Sequence, residues 1–398
     1  MPSTATFSML ARCSREAPKF FERAFRPLRP GPSRRYTSSP PENPPKSPDS
    51  RNHSPTFRRL AIGVALGSGL FALWQAYLYS VKGDSFAAYT LLAKEPVSST
   101  ASIFHLVPKQ HNHNYELYQD AWRRGIWNVQ FKQPQLQIVR AYTPLPPIDE
   151  KTAQEKGEIR FLIRQDPYGE VSSYLHRLRL GADIEMRGPN LEYELGPEVR
   201  QVVFFAGGTG IAPALQVAHA LFEGNKPAQS DAGNKQRKLH ILWANRLRED
   251  CLGGVSDDPP AEPLPPKPTW SGFFSKSKPK PPPPVSEKKG VIVQELEALK
   301  QKYPGQITVE YFVNAEDTWI DEDAVFRALS RFDDKDFSTG YGTSPEQRQI
   351  LISGPPGFIA YLAGPKEWKN GREEQGAVSK LVAHAISKNP HNVKVWKI

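Results

Sequence analysis

The residues best suited to chemistry sit at chain turns. Val202-Val203-Phe204-Phe205-Ala206 runs into Gly207-Gly208-Thr209-Gly210, and Ile211, Leu215, Ala218 and Phe222 follow at helical spacing, with Pro213 in the first turn. The order is strand, turn, helix. Glycines allow positive φ and close backbone approach, and the first N–H groups of the helix point at whatever anion occupies the turn. A pyrophosphate is the natural occupant, although the spacing differs from the common G-x-G-x-x-G fingerprint and one such turn is weak evidence alone. A second turn, Ser353-Gly354-Pro355-Pro356, ends the apolar run Gln349–Ser353. In an alternating strand–helix region it falls at the same sheet edge, so the two turns are expected to clasp one dinucleotide.

Further upstream lies Arg140-Ala141-Tyr142-Thr143, at the end of the run Gln137-Ile138-Val139. Arginine offers charge and donors to a diphosphate, tyrosine a flat face to a ring system, and threonine a hydroxyl. About 25 residues later, Gly169-Glu170-Val171-Ser172 opens a helix, a second N-terminal anion site. Arg187-Gly188-Pro189 closes this region.

These turns need elements to hold them. Short apolar runs at 87–93, 101–107, 127–131, 136–139, 159–163 and 183–186 predict a small β-barrel or sandwich over residues 83–196. Residues 197–398 alternate strands and helices, with helices predicted at 291–302 and 321–329 and strands at 239–244 and 307–313. That predicts a doubly wound parallel α/β domain. A proline-rich insertion at 253–290 interrupts it, with eleven prolines between Pro259 and Pro284 and Trp270, Phe273 and Phe274 among them. It reads as an exposed loop.

Charge and address come from the N-terminus. Residues 1–59 hold 12 of the 52 Lys and Arg and 4 of the 42 Asp and Glu, so +8 of the net +10 lies there and +2 on the remainder. The folded part has no excess suited to a nucleic-acid backbone. Residues 1–36 have the arginine-rich character of a mitochondrial presequence, and 37–59 that of a disordered linker. Residues 60–81 are 22 uncharged residues preceded by Arg58 and Arg59, with Trp74, Tyr77 and Tyr79 towards the far end. They predict one transmembrane helix. With the basic end in the matrix, the later domains face the intermembrane space. Cys13 belongs to the presequence, which leaves Cys251 as the only mature thiol, so no cysteine-based metal or iron-sulfur site is expected. Redox chemistry would need a bound organic cofactor.

In this order the motifs resemble the ferredoxin-NADP reductase superfamily, and within it the NADH-cytochrome b5 reductases, over about Ser85–Ile398. The resemblance implies a β-barrel FAD-binding domain followed by an α/β doubly wound NAD(P)-binding domain, here behind one N-terminal transmembrane helix. It implies FAD held by Arg140, Tyr142 and Thr143 and by Gly169, Val171 and Ser172. NADH or NADPH would lie against Gly207, Gly208, Thr209, Gly210 and Pro213 and against Ser353, Gly354, Pro355 and Pro356, with Thr209 and Ser353 nearest the chemistry. No metal is implied. With its address and anchor, the architecture is similar to that of fungal inner-membrane flavoproteins serving cytochrome c import, which implies haem, or cytochrome c with haem lyase, as acceptor system. Two alternatives stand beside this: a mitochondrial b5-type reductase, and a membrane-anchored assembly scaffold of low turnover. Two residues depart from the pattern. Ser353 stands where relatives usually carry cysteine, and Asn314 where they carry the acid that repels a 2′-phosphate, with Arg246 and Arg248 nearby. Trp396 is either an aromatic shield for the flavin or an edge-strand packing residue.

Overall fold

Thr143 shows how the first domain closes. In the computed structural model, which describes residues 85–110, 115–224, 237–257, 288–331, 347–369, 371–388 and 393–398, seven strands form one antiparallel sheet. They are β1 (Ala87–Pro96), β2 (Ala101–Pro108), β3 (Gly125–Gln133), β4 (Ile138–Tyr142), β5 (Pro144–Leu145), β6 (Ile159–Arg164) and β7 (Asp183–Glu194), in spatial order β4-β3-β7-β1-β2-β6-β5. The two edges, β4 and β5, are joined by Thr143 alone. One residue cannot span an open seven-stranded sheet, so the sheet must curl until its edges meet. The predicted barrel is therefore present, and the Arg140–Thr143 motif is its seam. Leu91, Phe104, Trp127, Phe131, Phe161 and Met186 fill the interior, each essentially inaccessible.

Three helices accompany the barrel: α1 (Tyr115–Arg124), α2 (Glu150–Lys156) and α3 (Glu170–Arg177). Asp149 caps α2 by accepting from the Lys151 N–H, and Gly157 ends it in the left-handed conformation. α1 was not expected from the sequence. It is amphipathic and buries Leu117, Tyr118 and Ala121, with Tyr118 stacked on Trp127 at 5.1 Å between ring centroids.

The second domain is a five-stranded parallel sheet of β8 (Gln201–Gly207), β9 (Lys238–Asn245), β10 (Ile307–Val313), β11 (Arg348–Ser353) and β14 (Lys394–Lys397), in order β10-β9-β8-β11-β14. A small hairpin, β12 (Glu367–Lys369) and β13 (Arg372–Glu374), lies apart from it. The order reverses at β8 and β11, the switch point where open α/β sheets take ligands. Every residue of β8 is buried, with Phe204 serving one face and Phe205 the other. Helices α4 (Ile211–His219) and α5 (Val291–Lys302) cover the first face. On the second lie α6 (Glu322–Ser330), α7 (Pro356–Ala363) and α8 (Lys380–Lys388). The core under α4 and α5 continues into the barrel through Ile126, Leu145, Leu162 and Tyr193.

The expected presequence, linker and transmembrane span at 60–81 lie outside the described residues, as do residues 258–287 of the proline-rich insertion. Among the described residues no helix is long and apolar enough to cross a membrane.

Candidate functional site

β8 and β11 run parallel with Ala206 opposite Ser353, so the two glycine turns leave the sheet side by side. Their approach is closer than a side chain permits. A Cβ on Gly210 would lie 2.3 Å from the Ser353 carbonyl oxygen, and one on Gly354 would lie 3.0 Å from Gly207 Cα. Gly208 has φ +54° and Gly354 φ +157°, conformations that favour glycine. Phe358, on the first turn of α7, packs against both Gly207 and Gly354, within 2.8 Å of where either Cβ would stand. Thr209 is half-buried in a 3₁₀ turn over Gly208–Gly210, and Pro213 sits in the first turn of α4, where its missing N–H costs no helical bond. No side chain caps the start of α4, but the 3₁₀ turn runs straight into it and takes the Ile211 N–H onto the Gly208 and Thr209 carbonyls. Ser353 is buried, and Pro355 and Pro356 lead into α7 with proline at the helix start.

The residues expected on the flavin side gather at the seam. The Arg140 guanidinium lies 3.8 Å from the Glu170 carboxylate, which brings it over the first turn of α3. α3 also starts without a side-chain cap. Gly169 is required there, because a Cβ would meet Ser172 Oγ at 2.5 Å and Asp166 Cβ at 2.9 Å. Tyr142 packs edge-on against Phe131, and burial pushes its hydroxyl pKa up to about 12. It stays a neutral donor across physiological pH. Thr143 links the closing strands. Val171 points into the barrel core, leaving its backbone N–H for a ligand. The Ser172 hydroxyl accepts from the Asp166 N–H at 3.1 Å and donates to the Gly169 carbonyl at 3.2 Å. It shapes the Asp166–Gly169 turn, so the hydroxyl is already engaged.

Among the described residues, several beyond the motifs join the halves, Ser99 with Glu249 and the following four among them. Arg160 on β6 makes a two-point ion pair with Glu295 on α5, at 2.8 and 3.3 Å. Arg164 at the end of β6 meets Asp250 at 2.8 Å and lies beside Gly208. Tyr193 donates to Gln349 Oε1 at 2.8 Å. Gln216 on α4 bonds to the backbone of Trp127 and Pro144. Arg160 and Arg164 lie in a strand whose apolar run conceals them, and nothing local marks Gln216.

The remaining sequence questions have structural answers. Trp396 pairs in register with Leu351 and packs on Tyr193 at 5.2 Å, as edge-strand packing requires. Arg248 is bound at two points by Glu316 and also donates to the Gly254 carbonyl. Its guanidinium holds Glu316 below the usual carboxylate range. Arg246 and Asn314 are exposed. Cys251 is buried, and desolvation pushes its thiol pKa up to about 11.

Comparison with known proteins identifies the two domains. Residues 88–195 match the oxidoreductase FAD-binding domain model and residues 204–254 the oxidoreductase NAD-binding domain model. An NADH-cytochrome b5 reductase 2-A of Vanderwaltozyma polyspora is 21% identical over 63% of this chain and 65% of its own. An uncharacterised FAD-binding protein of Schizosaccharomyces pombe is 30% identical over 42% of this chain and 62% of its own. The chain thus spans less than two thirds of the length of these relatives. The cytochrome b5 reductase domain of Ulva prolifera nitrate reductase aligns in structure with a TM-score of 0.46 at 17% identity, over 79% of this chain and 98% of that one. The chain carries an oxidoreductase FAD-binding domain followed by an oxidoreductase NAD-binding domain; the seam and the Gly207–Gly210 turn fall within the matched segments, and Ser353–Pro356 lies outside them. The uncapped start of α3 and the glycine cradle at Gly207–Gly210 and Gly354, which side chains would fill, suit the phosphates of the two cofactors.

Proposed function

We propose that the chain is a FAD-dependent NAD(P)H oxidoreductase of the cytochrome b5 reductase type that delivers electrons to haem or a haem protein. The observation carrying this reading is the double turn: Gly210 backs onto the Ser353 carbonyl at the switch point, and the helix leaving it docks on the barrel seam. When bound, FAD supplies a carrier that accepts a hydride and returns electrons singly. The chain's own residues do the holding. Arg140 and the Val171 N–H would neutralise the FAD diphosphate, Gly169, whose own N–H goes to the Asp166 carbonyl, would let it approach the backbone, and Tyr142 and Thr143 would fix the ring and ribityl end at the seam. Gly207–Gly210 and the start of α4 would take the nicotinamide dinucleotide's pyrophosphate. Ser353, Gly354, Pro355 and Pro356 would wall its reactive end, with Thr209 opposite, and Ser353 adds a hydroxyl where a thiol would be more polarisable.

The finer reading draws on residues 1–36 and 60–81: a single-pass protein of the mitochondrial inner membrane with its domains in the intermembrane space, reducing haem or apocytochrome c during haem attachment by haem lyase. Anaerobic mixing with NADH and NADPH tests the core of it. The flavin band near roughly 450 nm should bleach, and an unbleached flavin with both nicotinamides would favour the assembly scaffold. Haem, apocytochrome c with haem lyase, and cytochrome b5 then separate the acceptors. Protease sensitivity in mitoplasts with protection in intact mitochondria tests the topology.

Coenzyme preference follows from Arg248. Because Glu316 binds its guanidinium, a 2′-phosphate arriving near Asn314 meets a neutralised pair, and NADH should be preferred. Glu316→Gln leaves Arg248 to the phosphate. It should raise kcat/KM for NADPH relative to NADH by about tenfold, the scale of one hydrogen bond to a charged group. Steady-state kinetics with both nicotinamides measures this, and an unchanged ratio would remove Arg248 from the 2′ subsite.

A further inference from the structure

Gln216 is fully buried in the middle of α4, among Leu215, Val217 and Ala218. Its amide is completely engaged with the barrel. Oε1 accepts from the Trp127 N–H at 2.9 Å, while Nε2 donates to the carbonyls of Trp127 at 3.1 Å and Pro144 at 3.0 Å. Two carbonyls and one N–H fix the orientation, since only the NH₂ end can satisfy both carbonyls. The strands leave a place for it. The β3–β4 ladder runs only from Val129 to Gln133, and the β3–β7 register slips between Ile126 and Trp127. Trp127 therefore lies beyond the end of β4, and its N–H and C=O turn to Gln216.

The two ends of this link are the two halves of the site. Pro144 follows Thr143 at the flavin seam. Gln216 lies six residues after Gly210, about 9 Å along a rigid helix that begins against Ser353. Gln216 supplies three hydrogen bonds between α4 and the barrel, whereas Arg160 ties α5 and Tyr193 ties β11. We infer that Gln216 is a positioning residue that sets the nicotinamide turn against the flavin seam through α4, and so governs hydride transfer without touching either cofactor. This rests on the reductase reading above.

Gln216→Met tests it, because methionine keeps the length and the helix while removing all three bonds. In folded, FAD-loaded variant, flavin reduction by NADH should slow about 10- to 100-fold, the scale of an ångström of misplacement. The Kd for NADH should stay within about threefold, so the loss appears in the limiting rate. The long-wavelength charge-transfer absorbance of reduced flavin with NAD⁺, which requires stacked rings, should weaken in step. In the cofactor-free protein, hydrogen exchange at the Trp127 amide should accelerate. A variant with wild-type rate and charge-transfer absorbance overturns the inference, and so does one whose rate falls only in proportion to lost FAD. Should the methionine variant not fold, Gln216→Glu replaces it. Two facing carbonyls would hold that side chain neutral, keeping two of the three bonds, so rate and absorbance should lie between wild type and complete loss. Wild-type behaviour of the Glu variant would count against the inference equally. If NADH fails to bleach the wild-type flavin, the reductase reading falls and this inference with it. If it bleaches the wild type and Gln216→Met alike, only the inference falls.

Discussion

Gly210→Ala is expected to slow flavin reduction by NADH about 100-fold while FAD remains bound. The backbone at Gly210 has φ −60° and ψ −5°, which alanine adopts readily, so conformational strain contributes nothing. The cost is contact. A methyl group there would stand 2.3 Å from the Ser353 carbonyl oxygen, 2.7 Å from its carbon and 3.1 Å from the Gly354 nitrogen. These are backbone atoms, which cannot rotate away as a side chain would. The two turns must separate by about 1 Å to reach ordinary contact distance, against the β8–β11 ladder that holds Ala206 opposite Ser353. Overpacking of this kind costs about 1–3 kcal/mol, so the fold should survive. Displacement of the reacting end by about 1 Å accounts for the rate. Arg140 and the start of α3 belong to the barrel seam, so the FAD-to-protein absorbance ratio should be unchanged. Gly207→Ala is the control: its methyl would meet the Phe358 ring, a side chain that can shift, and its effect should be smaller. Stopped-flow reduction at full wild-type rate in Gly210→Ala would show that the clasp does not position nicotinamide.

That prediction needs both turns, and both were legible in the sequence. β8 is a β-branched and aromatic run buried on both faces, which is how a central parallel strand reads, and the glycines after it have a steric reason to be there. The closure of the barrel at Thr143 was less visible, because strand runs do not state which strands become edges. α1 escaped because charged and polar residues dilute its apolar face, which is plain only once Tyr118 meets Trp127. The link between the domains was not legible. Gln216 has no local signature, since a polar residue within an apolar helix is explained only by partners 72 and 89 residues away in the chain. Arg248 looked like an available cation for the same reason: its partner, Glu316, is 68 residues distant. Sequence periodicity reports which face of an element is buried. It does not report what a buried polar group will meet.

Arg160→Met should lower the apparent Tm by roughly 10 °C, the second large effect. Arg160 is 6% exposed and its partner Glu295 16%, and their two-point pair joins β6 of the barrel to α5 of the second domain. Nη2 also donates to the Pro146 carbonyl at 2.6 Å. A buried ion pair need not be more stabilising than a well-packed apolar pair, but removing one member leaves the other charge without compensation at about 3–5 kcal/mol. At roughly 2–4 °C per kcal/mol for a protein of this size, the shift follows. The reasoning yields a second expectation of opposite sign. Arg160→Met combined with Glu295→Met removes both charges together and should recover most of the lost Tm, so the double-mutant cycle should show strong coupling. Thermal denaturation of the wild type, the two single variants and the double variant measures it. If the single variants are neutral, water reaches the pair and it contributes little to joining the domains. If the double variant is as unstable as the sum of the singles, lost packing rather than the stranded charge is the cause, since arginine's stem also covers apolar surface.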